Sequence, residues 1–280
     1  MIGKPAPAVQ ARLPACDPYR PDTVIDGGCA FGLTVRAASV RGLGKRWGGG
    51  PRQDDICLGL HEPTRTLIAA VADGVSGAAR SDLAAALVVR QAVAALSRQL
   101  DAGRAPDWKE VFGHAAWALV EEHRRASADP QAGVEQAAAT LSTTLLLAAV
   151  STPVEGSSLV QLASVGDSPA LRLSRRRFHS LLGEQELSEG LIGGSVQALP
   201  RAAREVRVTR CELDSTSVLL LCTDGFSLPL AGGGGEVGAV FARELARPPE
   251  IVDFARLLDF SRNTYDDDRS LIAIWPDTGQ

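Results

Sequence analysis

Five times in this 280-residue chain a short apolar run ends on aspartate or starts from it. Asp54 and Asp55 precede Ile56–Leu60, Asp73-Gly74 follows Leu67–Ala72, and Asp167 follows Leu159–Val165. Asp224-Gly225 follows Val218–Cys222, and Asp266-Asp267-Asp268 precedes the run that ends at Trp275. Runs this short, bounded by turn residues, read as strands and not as core helices. Each aspartate alone has a plain explanation, since Asp-Gly after a strand is a common turn. Five acidic positions at strand ends ask for more. If those ends converge, the carboxylates repel one another unless a cation holds them. Hard divalent ions such as Mg²⁺ and Mn²⁺ take oxygen ligands, so a two-ion hydrolytic site is one chemistry that fits.

The runs sit in a definite order. Phe31–Ala37 alternates weakly and reads as a strand, and the five glycines between Gly42 and Pro51 read as a loop. Ile56–Leu60 and Leu67–Ala72, separated by Glu62-Pro63-Thr64-Arg65, read as a hairpin. Two helices are expected, Leu83–Leu100 behind Ser81-Asp82 and Asp107–Ala126. Strand candidates then cluster at Thr143–Val150, Ser158–Val165, Ala170–Leu173, Phe178–Leu182, Glu205–Cys211 and Val218–Cys222. Helices return at Glu236–Ala246 and Glu250–Asn263 before a last strand, Ser270–Trp275. Regular β-α alternation is missing, so a doubly wound parallel sheet fits poorly. An α+β fold with helices outside packed antiparallel sheets fits better.

Composition narrows the function classes. The hydrophobic share of 45% and charged share of 22% are those of an ordinary globular chain. A net charge of −4 and an aromatic content of 5% argue against nucleic-acid binding, which favours basic faces and stacking platforms. The cysteines at 16, 29, 57, 211 and 222 form no C-x-x-C pair, and the first residues carry no signal-peptide stretch. No run of about 18 apolar residues is evident, so neither a membrane span nor a membrane partner is expected. These features suggest a cytoplasmic protein.

Six segments then carry a resemblance. They are Gln53-Asp54-Asp55, Val71-Ala72-Asp73-Gly74-Val75, Ser142-Thr143-Thr144-Leu145, Ser164-Val165-Gly166-Asp167-Ser168, Leu220 to Phe226 around Thr223-Asp224-Gly225, and Asp267-Asp268-Arg269-Ser270-Leu271. In this order the chain resembles the protein phosphatase 2C family of metal-dependent serine/threonine phosphatases, in its bacterial form. The resemblance implies an α+β fold with a central antiparallel β-sandwich flanked on both faces by helices, four layers αββα. It implies a single catalytic domain over 27–280, while residues 1–26, Pro-rich and aperiodic, read by themselves as an irregular, loose arm or an early edge strand. It also implies that Asp54, Asp73, Asp224 and Asp267, with the Gly74 carbonyl, hold two Mn²⁺ or Mg²⁺ ions. Asp167 would belong to a third site. A water bridging the ions would attack phosphorus in line, releasing serine or threonine from a phosphorylated protein substrate. A cognate serine/threonine kinase is the natural partner.

The chain also departs from the family's pattern. The arginine expected four residues before Gln53 is Gly49, which leaves Arg46, Lys45 or Arg52 as candidates for gripping phosphate. Val75 stands where some members have histidine, and Ser142 stands in place of a glycine. The flap motif is degenerate at Gly183-Glu184-Gln185-Glu186. Two alternatives therefore stand beside the phosphatase reading: a regulatory pseudophosphatase or binding module of the same fold, and a hydrolase of small phosphoesters. Gly233-x-Gly235-x-x-Gly238 lacks the βαβ context of a dinucleotide site. The run Arg175-Arg176-Arg177, with Arg172, reads as a solvated hairpin tip or a docking patch for an acidic partner.

Overall fold

The computed structural model describes residues 10–14, 20–153, 157–182, 197–233, 235–262 and 264–277. The segment read as a degenerate flap, 183–186, lies outside them, as does most of the arm before residue 20. In chain order the elements are β1 (Thr23–Ala30), β2 (Leu33–Val40), α1 (Leu43–Gly48), β3 (Asp55–His61) and β4 (Thr66–Ala72). Next come α2 (Ser81–Asp101), α3 (Trp108–Ser127), α4 (Val134–Thr140), β5 (Leu145–Ser151) and β6 (Ser158–Val165). The rest are β7 (Ala170–Ser174), β8 (Arg177–Ser180), β9 (Arg207–Leu213), β10 (Ser217–Cys222), α5 (Asp224–Ser227), α6 (Glu236–Glu244), α7 (Ile251–Leu258) and β11 (Arg269–Pro276). The class is α+β, with one antiparallel sheet of six strands and one of five.

The chain divides into two compact units, one for each sheet. The first falls within Met1–Asp54, Pro169–Gly190 and Leu213–Gln280 and holds the sheet β1-β2-β11-β10-β7-β8. One face of this sheet, with Val40, Leu171, Leu220, Leu271 and Trp275, packs with Phe226, Phe241, Phe254 and Leu258 from α5, α6 and α7. Phe226 and Phe241 meet edge-to-face at 4.9 Å between centroids, a favoured aromatic geometry. The Trp275 indole N–H is satisfied by the Leu245 carbonyl at 2.9 Å. Leu219, Leu221, Ile272 and Ile274, on the opposite face, are equally buried. Burial on both faces is why β10 and β11 read as unbroken apolar runs and not as alternating ones.

The second unit falls within Asp55–Ser168 and Leu191–Glu212 and holds the sheet β3-β4-β5-β6-β9. Ile68, Ala70, Leu145, Leu147 and Val165 pack against Val88, Val89, Leu96, Val111, Phe112 and Leu119 of α2 and α3. Asp107 caps α3, its carboxylate accepting the Glu110 N–H at 3.1 Å. By length and composition α2 is apolar enough to cross a membrane, contrary to the expectation of no such segment. More than half of that stretch is buried within the protein, among the core side chains of this unit.

Two local expectations fail. The glycine-rich segment Gly42–Pro51 is not all loop, because α1 occupies Leu43–Gly48. The helix is braced from outside: the Arg41 guanidinium donates to the carbonyls of Arg12 and Lys45 at 2.8–3.0 Å. Arg46 on α1 is also clamped, between Asp22 and Asp259 at 2.6 and 2.7 Å. The loose-arm reading of residues 1–26 gives way at its end to its alternative, an early edge strand: β1 starts at Thr23, and its eight residues are mostly exposed and show no apolar alternation. Two hairpins of the first unit turn through two residues of positive φ, the type I′ signature. The β1–β2 turn uses Phe31-Gly32, whereas the β7–β8 turn places Arg175 (φ 48°) and Arg176 (φ 62°) there.

Candidate metal and phosphoester site

Register brings one group of acids together at an end of the six-stranded sheet. Cys222, at the end of β10, pairs with Leu271 near the start of β11, and Arg269 pairs with Val40 at the end of β2. The residues just beyond those pairs, Asp224, Asp266–Asp268 and Gly42, therefore crowd the same end. Asp54 joins them through hydroxyls: Thr223 Oγ1 donates to its Oδ2 at 2.8 Å and Ser270 Oγ at 2.9 Å. Its Oδ1 takes no hydrogen bond among the described residues. Burial pushes the Asp54 carboxyl well above the usual carboxylate range, and the charges of Asp268 and Asp267 push the same way, against those two hydroxyls. No lysine or arginine pairs with this carboxylate among the described residues.

The three consecutive aspartates have three different jobs. Asp268 is buried, and its two oxygens accept the Gly42 N–H at 2.7 Å and the Gln53 N–H at 2.6 Å. Burial raises its pKa, and the two amides resist. Asp267 is exposed and accepts the Asp268 N–H at 2.9 Å. Asp266 works through its carbonyl, which accepts the Gly44 N–H at 2.9 Å. Asp224 is half-buried at the first turn of α5, behind Thr223, whose N–H donates to the Ser270 carbonyl at 3.1 Å.

The other group lies at one end of the five-stranded sheet. Asp73 follows β4, Thr143-Thr144 precede β5, and Gly166-Asp167-Ser168 follow β6; the pairs Val71–Leu146 and Leu145–Val165 place them side by side. Here hydroxyls hold the backbone of the acid. The Asp73 N–H donates to Thr144 Oγ1 at 3.0 Å, and its carbonyl accepts from Thr143 Oγ1 and the Thr144 N–H, both at 2.8 Å. Thr144 Oγ1 also meets Ser168 Oγ at 2.9 Å, and Gly74 bridges to Thr143. Asp73 and Asp167 are both half-buried. The Asp167 carboxylate has no hydrogen bond or ion pair among the described residues. Ser142, which stands in place of the family's glycine, is accommodated by donating to the Leu199 carbonyl at 3.2 Å.

Of the predicted ligands, Asp54, Asp224 and Asp267 thus fall in the first unit, and Asp73, Gly74 and Asp167 in the second. Among the described residues no three acidic, histidine or cysteine side chains close on one ion by themselves. Such a cage is not required, since Mg²⁺ keeps several waters and takes one or two carboxylates. The donor chemistry fits a hard cation: every candidate donor is an oxygen, and Asp54 carries an oxygen without a hydrogen bond among the described residues.

The two arginines proposed for phosphate are occupied elsewhere. Arg52 is 1% exposed; its guanidinium donates to Ser39 Oγ at 2.6 Å, to the Asp54 carbonyl, and to the Pro21 carbonyl at 3.3 Å. It is a strut that fixes the backbone of Asp54, and it does not reach outward. Arg46 is held in its two ion pairs. Gly49 ends α1 with φ at 76°, a conformation that disfavours an arginine there. The sequence reading missed Asp268, Thr223, Ser270 and Ser39. A polar run, Asp-Asp-Arg-Ser, opening an otherwise apolar strand was the available signal for Ser270.

Comparison with known proteins follows the same line. The family model for Protein phosphatase 2C matches residues 41–269. Among solved structures, a bacterial serine phosphatase is similar over 88% of this chain and 98% of its own, with TM-score 0.63 and 14% identity. The catalytic domain of the serine threonine protein phosphatase PstP, in complex with two manganese ions, covers 86% of this chain and 97% of its own, with TM-score 0.55 and 22% identity. RsbX in complex with magnesium covers 90% and 98%, with TM-score 0.53 and 13% identity. The curated proteins contain no match in sequence. With the family model spanning most of its length, the chain belongs to the protein phosphatase 2C family.

Proposed function

We propose that this protein hydrolyses phosphoserine or phosphothreonine in proteins with the help of Mn²⁺ or Mg²⁺. The observation that carries the reading is Asp54: a buried carboxylate, aimed by two hydroxyls, beside two more acids and without a protein cation. In the bare protein this arrangement is costly, and a divalent cation relieves it. When bound, such ions supply an activated water and neutralise charge on the transferring phosphoryl group. Neighbours solved with magnesium or manganese support this choice of ion. The first unit offers Asp54, Asp224 and Asp267 as oxygen donors, and the second offers Asp73, the Gly74 carbonyl and Asp167. Thr223, Ser270 and Arg52 hold Asp54; Thr143 and Thr144 hold Asp73. In the reaction a P–O bond forms to water, the bond to the serine or threonine Oγ breaks, and a proton goes to that oxygen. A serine/threonine kinase must supply such a substrate.

A second reading has its own support. Gly49 replaces the family's arginine, and Arg46 and Arg52 are spent within the protein. That favours a binding module of the same fold with little turnover. The two readings separate in one assay, on p-nitrophenyl phosphate and a phosphothreonine peptide, with Mn²⁺ or with chelator. The first expects metal-dependent hydrolysis of both, reduced at least about 100-fold in Asp73→Ala. Mn²⁺ binding without turnover supports the second, and hydrolysis of the small ester alone supports a small-phosphoester hydrolase.

A further inference from the structure

The β7–β8 hairpin carries a cluster of cations that the hydrolytic site does not use. Arg172 pairs with His179 and Ser174 with Arg177, so these four side chains share one face of the hairpin. Ser174, Arg175, Arg177 and His179, with Asp214 and Thr216, line a cavity of about 640 Å³. Among the described residues the side chains of Arg175, Arg177 and His179 make no hydrogen bond or ion pair. Some arginines elsewhere are engaged, as Arg46 is with Asp22 and Asp259, Arg104 with Glu110 and Arg201 with Glu135, while others such as Arg90 and Arg247 stand alone among the described residues; what marks the hairpin is that its cations share one cavity. The cavity's acid, Asp214, is already closing its own turn: it accepts from the Thr216 N–H, Thr216 Oγ1 and Ser217 Oγ at 2.6–3.1 Å. Two guanidinium groups thus face one committed carboxylate.

Position adds a second constraint. Among the described residues β8 is the terminal strand of its sheet. A short, charged edge strand is one way for a protein to discourage unwanted pairing. That purpose does not account for the turn. A type I′ turn prefers Asn-Gly, and here Arg175 and Arg176 both hold positive φ. Strain of this kind persists where the side chains serve a ligand.

We propose that this hairpin docks an extended acidic peptide segment, its carboxylates or phosphates in the arginine-lined cavity and its backbone along the edge of β8. The inference rests on the phosphoprotein reading only for the identity of the partner, an acidic stretch of the substrate away from the ester being cleaved. It is tested by fluorescence anisotropy in chelator, where no turnover occurs, with a labelled Asp-Val repeat peptide and its Asn-Val analogue. The acidic peptide should bind, the neutral one should not, and binding should weaken with salt. Arg175→Asn with Arg176→Gly removes both tip cations while supplying the residues the turn prefers, so the hairpin stays folded. Combined with Arg177→Gln, this variant should lose about 10-fold in peptide affinity and keep wild-type turnover of p-nitrophenyl phosphate. Equal binding of both peptides, unchanged affinity in the variant, or no binding by the wild type would each overturn the proposal. Peptide binding by a protein without phosphatase activity would leave the docking site standing and remove the phosphatase reading.

Discussion

The two sheets present their terminal aspartates in opposite ways. In the six-stranded unit hydroxyls grip the carboxylate itself, as Thr223 and Ser270 do to Asp54, and backbone amides consume both oxygens of Asp268. In the five-stranded unit Thr143 and Thr144 grip the backbone of Asp73. The first arrangement buries charge and spends carboxylate oxygens on the fold. The second fixes where the acid sits through its backbone N–H and carbonyl. Two aspartates that look alike in sequence can therefore be tied into the fold by the carboxylate, like Asp268, or by the backbone, like Asp73.

The contrast can be broken by substitution. Gly225→Ala should have the largest effect, because a Cβ there would lie 2.0 Å from the Asp268 carbonyl, backbone against backbone. The expected result is failure to fold or a loss of about 4 kcal/mol, read from the urea midpoint. Asp268→Ala strands two amides, those of Gly42 and Gln53, and should cost about 3 kcal/mol in the chelated protein. Thr144→Val keeps the shape but strands the Asp73 N–H and removes the partner of Ser168 Oγ, so about 2 kcal/mol is expected in the same measurement. If Thr144→Val proves costlier than Asp268→Ala, the division into an end held through carboxylates and an end held through backbone is wrong.

Much of this was legible in the chain. Runs such as Leu67–Ala72 and Val218–Cys222 are apolar on both faces, so their strands and the aspartates that end them stand out without any tertiary knowledge. Helix α1 was hidden because it is short, rich in glycine, and braced by Arg41 and Arg46 through residues distant in sequence. Strand β1 was legible only as one of two alternatives, because its residues are exposed and its order comes from pairing with β2. The role of Arg52 was misjudged for a related reason. Sequence shows an arginine beside two aspartates, but only the fold shows it bonded to the Asp54 carbonyl and Ser39. Long-range partners decide between a strut and a ligand, and spacing does not reveal them.

The place of β11 has a consequence in time. It is the last strand in the chain, yet it lies in the middle of its sheet, between β2 and β10. While the protein is being made, from the N-terminus at about 5–20 residues per second, the flanking strands must wait with unpaired, apolar edges. The grip on Asp54 waits as well, since Ser270 belongs to β11. The aspartates of this sheet end cannot be set in place strand by strand; a nascent chain short of Arg269 lacks that grip, and its open edges are where a chaperone would act.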